Sequence, residues 1–374
     1  MSEVINKVSL SVSQADGSSI IIAGWKSIRI TSGIERLPSD FDLQMTGPVS
    51  GLENNMLVPG MKCIVKIDED VVVTGYVDHV VNHITGSQHQ IHVAGRGLCC
   101  DLVDCSAVYT GSQFLQETAY TIAQKLAGQY KIEVVKDGSP LPTIQTYNLT
   151  LGESPFTVIH KLCQYSQLLC YENEHGQLVL SQAGTQGMNG SLVQGVNIEQ
   201  ATYTTSMDQR YKTYIVVFSG ATLNRDATQG ASINDTTVID DQTPRERVKY
   251  IIPEAGDVGF AVAKKMAVWE ANRRIARSYL LNISTPVWRD LDGSLWRPNK
   301  LVSVELPGLN FSVKDKWLIG EVTYRLDESG SHCDLTIMAQ QAFTPAPVVL
   351  LPSNAIDAFS AANSQGGHNA PATP

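Results

Sequence analysis

Short runs of alternating apolar and polar residues dominate the first quarter of the chain. KVSLSVS, SSIIIAGW, KSIRITSG, FDLQMTG, KCIVKID, VVVTGYVDHVV and QHQIHVAG are rich in β-branched residues and are separated by Gly, Pro, Asp and Asn. That pattern predicts the strands of a small barrel or sandwich over residues 1–97. Residues 98–185 change period and read as an α+β middle domain. QFLQETAYTIAQKLAG places Leu115, Ala119, Ile122 and Leu126 on one helical face, stopped by Gly128. LGESPFTVIHKLCQYSQ starts a second helix, with Ser154 as N-cap and Pro155 at the first helical position. LLCYENEHGQLVLSQ predicts a hairpin turning near His175-Gly176.

Strands return in EQATYTTSM and YKTYIVVFSG, followed by a polar loop over 221–243. The longest helix is expected over 256–279. It sets Val258, Val262, Met266, Trp269 and Ala276 on one stripe, with Lys264, Lys265, Arg273 and Arg277 largely elsewhere. LLNISTPVW, KLVSVELPG, WLIGEVTYRLD and HCDLTIMAQQ complete a second barrel domain over 186–343. From Thr344 the chain is a Pro-, Ala-, Asn-, Ser- and Gly-rich tail without a core of its own. The expected fold is therefore mainly β with α+β: two similar small β-barrel domains, an α+β middle domain and one long helix in the second half.

The two β units echo each other. Pro59 precedes Val65 by the same interval as Pro298 precedes Val304, and Gly86 precedes Val93 as Gly330 precedes Ile337. Gly75-Tyr76-Val77 matches Gly320-Glu321-Val322 in the same order, which predicts an internal duplication.

Composition narrows the function. A net charge of −9 over 374 residues argues against a dedicated nucleic-acid binder. No apolar run approaches the ~20 residues a bilayer needs. MSEVINKVSLSV lacks a basic start followed by an apolar block, so no export signal is expected and the seven cysteines are read as reduced thiols.

Candidate chemistry is sparse. On a short helix Cys99, Cys100 and Cys105 point three ways and cannot converge on one zinc. Leu98, Cys99, Leu102, Val103 and Cys105 form an apolar face instead, with Asp101 and Asp104 on the wet side. His79, His83 and His92 fall on one strand face, a surface imidazole row or, alternatively, a His83–His92 two-ligand site. No nucleophile elbow, P-loop, dinucleotide-binding or zincin motif occurs. Glu153 adjoins a helix N-cap, while Glu172 and Glu174 sit beside a turn and are expected to be solvated. No catalytic, cofactor-binding or metal site is assigned, and the chain is not expected to be an enzyme.

VAGRGLCCDLVDCSA resembles the signature of the baseplate hub proteins of contractile-tailed, Mu-like phages, in which a strand ends in Gly-Arg and leads into a helix. The positions that carry it are Gly95, Arg96, Asp101, Leu102, Val103, Asp104 and Ser106. GESPFTVIHKLCQYSQLLCYENEHGQLVL carries a second match at Glu153, Ser154, Leu168, Leu169, Gly176 and Leu178. Late-control tail proteins and the N-terminal part of type VI secretion spike proteins are similar. The resemblance implies a homotrimeric structural hub, adapting a six-fold tail tube to a three-fold spike and leaving a channel for DNA during ejection. It also implies the partners: other copies of itself, the tail tube or its initiator, a trimeric spike and other baseplate proteins. The implied place is the virion tail baseplate, assembled in the host cytoplasm as a late protein. Two other classes stay open: a tail-tip peptidoglycan hydrolase and a monomeric carbohydrate-binding module.

Overall fold

The computed structural model describes residues 6–14, 16–46, 57–85, 89–138, 140–219, 233–253, 260–309 and 311–347. The Gly86-Ser87 turn, loop residues 221–232, Val258 and the tail beyond Pro347 lie outside them. The first β unit contains β1 (Val8–Ser13), β2 (Ser19–Ala23), β3 (Ser27–Gly33), β4 (Asp40–Thr46), β5 (Lys62–Ile67), β6 (Asp70–Ile84) and β7 (His89–Gly97). Alternation places side chains as a period of two requires: β4 buries Phe41, Leu43 and Met45 and turns Asp40, Asp42 and Gln44 the other way.

The middle part contains α1 (Cys100–Asp104), β8 (Gln113–Thr118), α2 (Ala119–Gly128), β9 (Val134–Lys136), β10 (Thr143–Asn148), α3 (Pro155–Tyr165), β11 (Leu169–Glu172) and β12 (Leu178–Ser181). Ser154 caps α3, its hydroxyl accepting from the Thr157 N–H at 3.2 Å, with Pro155 in the first turn. The expected start of α2 is corrected. Gln113–Thr118 is a strand paired with β10, and Leu115 is 58% exposed. The helix begins only where Thr118 and Thr121 form a reciprocal cap, each side chain serving the other's backbone N–H.

The second half contains β13 (Met188–Val193), β14 (Gln200–Thr205), β15 (Thr213–Ser219), β16 (Ile233–Ile239), β17 (Val248–Ile251), α4 (Phe260–Arg277), β18 (Tyr279–Thr285), β19 (Leu301–Leu306), β20 (Phe311–Asp327) and β21 (Gly330–Met338). The expected polar loop is partly a strand. β16 pairs antiparallel with β15, and its Val238 packs on a small core of Val216, Ala263 and Ala267 beneath α4. The stripe of α4 holds at Ala276 and is otherwise corrected: the most buried described positions are Ala263, Ala267, Ala271 and Ala276, small residues that let the helix approach closely. Val262 and Met266 lie beside them, only partly buried.

Most strands join in one thirteen-stranded sheet, in the order β14-β18-β21-β20-β3-β4-β7-β6-β5-β1-β2, with β19 branching from β20 and β13 from β19. The expected pair of barrels is thereby corrected, because among the described residues the pairing closes no ring. β3 gives its second edge to the other unit, pairing antiparallel with β20 from Gly33↔Glu321 to Ile28↔Leu326. It is then not free to close against β2. One core continues beneath both units, from Leu10, Leu43 and Val93 to Leu281, Val322 and Leu335.

The order β4-β7-β6-β5 recurs as β18-β21-β20-β19. Both long strands bulge at the corresponding point, between Val77 and His79 and between Ile319 and Glu321. Lys62 lies opposite Tyr76 as Leu301 lies opposite Leu318, in keeping with the Pro59 and Pro298 spacing. The glycine match is corrected, since the bulges set Gly320 against Asp78 rather than Gly75.

Candidate functional site: the polar face of the joined sheet

The face of the joined sheet opposite the core carries an ordered array of charge. Strand register sets Thr323, Thr31, Asp40, Arg96 and Tyr76 in one row across β20, β3, β4, β7 and β6, and Arg325, Arg29, Asp42, Ala94 and His79 in the next. Arg29 and Arg325 are thus direct neighbours, a repulsive placement unless each has its own acid. Each does: Arg29 meets Asp40 at 2.7 Å, and Arg325 meets Asp334 at 2.6 Å and Asp327 at 3.5 Å. Arg96 is held by Asp78 at 2.5 Å and Asp104 at 2.8 Å, and Arg36 by Asp40 and Glu321. His92 meets Asp42 at 2.8 Å and His332 meets Glu199 at 2.7 Å. Carboxylates outnumber arginines here, and these four guanidinium groups are all committed to acids. Reading the strands for apolar alternation identifies the core but passes over Asp42, Asp78, Arg325 and Asp334. The signal was the complementary set of charges at the alternate positions.

The positions singled out in the sequence are divided between β7 with α1, the β11–β12 hairpin and the start of α3. Gly95 lies in β7 where a Cβ would come within 2.4 Å of the Phe41 ring. Arg96 follows it and reaches Asp104 at the end of α1, while Leu102 is fully buried beneath. Asp101 is half-buried and Asp104 exposed. Cys99 and Cys100 are both buried, whereas Val103 and Cys105 are only half-buried, so the expected apolar face is rotated toward Cys100. Gly176 has φ 74° at the hairpin turn and lies against Leu98, which a Cβ would crowd to 2.7 Å. Glu153 accepts from the Thr150 N–H at 3.1 Å beside the α3 cap, in the middle part and apart from the charged rows.

Glu172 corrects a further expectation. It is only 4% exposed, not solvated, and its two carboxylate oxygens accept from the N–H groups of Cys99 at 2.8 Å and Ser39 at 2.9 Å. Burial pushes it up to about 7 despite those two donors. β11 of the middle part is in this way locked to the β3–β4 loop and to the start of α1. Gly97 passes so close that a Cβ would lie 1.9 Å from Glu172 Oε2. Gly97→Ala should therefore destabilise the fold by about 1–3 kcal/mol through overpacking, as a lowered denaturation midpoint in urea will show. Glu174, on the same hairpin, pairs with Arg297 at 3.4 Å, and Arg289 of the second unit meets Asp68 at 3.0 Å and Asp70 at 2.7 Å. These are inter-unit ties, and Asp68 and Asp70 are committed to them. Trp25, Trp288, Trp296 and Trp317 are buried, and Trp269 donates to the Thr344 carbonyl at 2.7 Å.

A long sheet joining two like units, an α+β part hung on one of them and a charged, self-compensated sheet face define a phage tail hub fold. The family described as Mu phage baseplate assembly protein GpP-like, N-terminal, matches residues 8–97. Baseplate hub protein gp44-like, second domain, matches 99–182, and Mu phage baseplate assembly protein GpP, fourth domain, matches 259–346. The chain belongs to this Mu-like baseplate hub family. It is 27% identical over 342 residues to the baseplate hub protein gp44 of Escherichia phage Mu, covering 88% of each chain. The crystal structure of the 43 kDa tail protein of prophage MuSo2 from Shewanella oneidensis is similar at 27% identity and a TM-score of 0.78, covering 90% of this chain and 99% of that one. An E. coli component of the type VI secretion system shares the fold at 10% identity, with a TM-score of 0.57 over 92% of this chain and 80% of its own.

Proposed function

We propose that this baseplate hub protein works as a non-enzymatic symmetry adaptor. Three copies form a ring that joins the tail tube to a trimeric spike and leaves a channel for DNA. The observation that carries this reading is the lateral junction of two like units within one chain, β3 against β20. Two units per chain offer a six-fold partner six similar surfaces from three copies, while the ring as a whole keeps three-fold symmetry. On this reading residues 1–97 and 186–343 are the repeated domains, 98–185 is a separate middle domain, and other baseplate proteins attach outside the ring. Gly95, Arg96, Asp101, Leu102, Asp104 and Gly176 hold the joint between the first unit and the middle domain, and Glu153 and Ser154 start α3 within that domain, rather than any of them forming a reactive centre. The protein would act in the virion tail baseplate after assembly in the host cytoplasm.

The polar sheet face suits a channel wall. Its arginines are occupied by carboxylates and acid is in excess, so passing DNA meets repulsion rather than a grip. A hydrolase reading is disfavoured because Glu172 is sealed behind two backbone amides, and a carbohydrate-binding reading because four tryptophans lie in the interior. Light scattering of the purified protein at micromolar concentration should give three times the 40.7 kDa chain mass. A monomer at every salt concentration would overturn the ring.

A further inference from the structure

We propose that neighbouring copies join by antiparallel pairing of β14 with the distal half of β6 of the next copy. This inference rests on the ring reading above and specifies its joint. Among the described residues β14 ends the sheet and pairs only with β18. β5 covers β6 from Asp70 to Tyr76, so beyond the bulge the stretch from His79 to Ile84 is paired, among the described residues, only with β7. Each of these edges corresponds to one that is already used inside the chain.

The correspondence follows from cross-strand partners. Gly95 takes the place of Ile337, which sets Phe41 against Leu281 and Gln44 against Ser284. Ser27 lies opposite Gln44 and Gln200 opposite Ser284, so β14 takes the place of β3. The bulges likewise set His79 against Glu321 and Ile84 against Leu326. Inside the chain, β3 covers β20 over Glu321–Leu326. The equivalent joint between copies lays β14 over His79–Ile84 of the neighbour. Its register is also determined: Thr205 faces Val80, Thr204 faces Val81, Thr202 faces His83 and Ala201 faces Ile84.

The surfaces agree with this. Val81 is 51% exposed and Ile84 71%. A long edge bearing apolar side chains and no lysine or proline lacks the usual protection of a sheet edge against pairing. The joint brings no like charges face to face, and Thr204 would stand where Thr31 meets Thr323, hydroxyl to hydroxyl at 3.2 Å, within the chain. Because β14 and β6 differ, the contact is heterologous. It leaves a free edge on every open assembly until the last copy closes the ring.

Cysteine pairs test the register in the full-length chain. Opposed residues in antiparallel strands lie about 4.5–5.5 Å apart, within disulfide reach. Thr204→Cys with Val81→Cys should therefore give covalent dimers and trimers on mild oxidation. The native cysteines are all free and nearly all buried, and the two single variants set the baseline. Thr204→Cys with Ile84→Cys is displaced along the strand by roughly 10 Å and should remain monomeric on a denaturing gel. Thr202→Cys with His83→Cys provides a second in-register pair if the first variant folds poorly. Peptide mapping of the 204–81 link in a species of trimeric mass supports the joint. A trimer by light scattering that links neither in-register pair, or links the displaced pair equally well, overturns the joint and leaves the ring standing. Absence of self-association in the parent overturns both.

Discussion

Replacing Asp240 with alanine should release the β15–β17 sheet and α4 from the rest of the protein, at a cost of about 3–5 kcal/mol. Arg210 precedes β15 and is 1% exposed; its Nε and one terminal nitrogen both donate to Asp240, at 3.0 and 2.8 Å. The remaining donors reach Tyr279 at 3.2 Å, Gln242 at 3.2 Å and the Ser278 hydroxyl at 3.5 Å. Asp240 in turn accepts from the Gln242 N–H and the Thr243 hydroxyl. Every hydrogen-bonding direction of the guanidinium is therefore answered inside the fold, and removing the acid strands a buried cation. The apolar core under this sheet is small, Val216 with Ala263 and Ala267, so it cannot compensate. Hydrogen exchange is the appropriate measurement because the expected opening is local. Protection of the β15 and β16 amides should fall by about two decades or more, at 1.4 kcal/mol per decade, while the amides of β4 and β7 keep theirs. Arg210→Met combined with Asp240→Leu should lose less than Asp240→Ala alone, because the double change buries no unpaired charge. An equal or larger loss would show that the pair matters for its shape rather than its charge.

The elements whose cause is local were legible in the sequence. Ser154-Pro155 starts α3 because a cap and a fixed φ need no tertiary context, and the strand runs of the first unit reappear with their apolar faces inward. Leu115 was misplaced because it falls in register with the α2 stripe, while pairing of β8 with β10, decided by a distant segment, holds it in a strand. The open sheet in place of barrels has the same origin, since the β3–β20 contact joins residues nearly three hundred positions apart and leaves no local signature. The duplication was visible, but bulges moved the register within it and shifted the glycine match. Burial of Glu172 was the least legible feature. A glutamate near a turn reads as solvated until the β3–β4 loop and α1 close over it.

Glu172→Gln should remove a pH dependence that the parent protein carries. Burial raises the carboxyl from its ordinary 4.5 to about 7 in the folded protein, while the unfolded chain keeps the ordinary value. Between those values the folded state holds a proton that the unfolded state has released, so stability falls as pH rises through the window. It is flat below about 4.5, where both states are protonated, and flat again above about 7, where both are ionised. At 1.36 kcal/mol per pKa unit the full change is about 3 kcal/mol. Glutamine approximates the shape of the acid and does not titrate. Its amide nitrogen cannot accept from one of the two N–H groups, a cost independent of pH. The difference in stability between parent and variant should therefore vary with pH across this window alone. Urea denaturation at pH 4.5, 6 and 7.5 measures it. A parent and variant that shift in parallel would mean that the Cys99 and Ser39 amides fully offset desolvation and that Glu172 is ionised in the fold throughout. The expected slope makes the joint between the first β unit and the middle part weakest at neutral and alkaline pH. Gly97 is the residue that leaves room for this joint, since any side chain there would displace the carboxylate from its two donors.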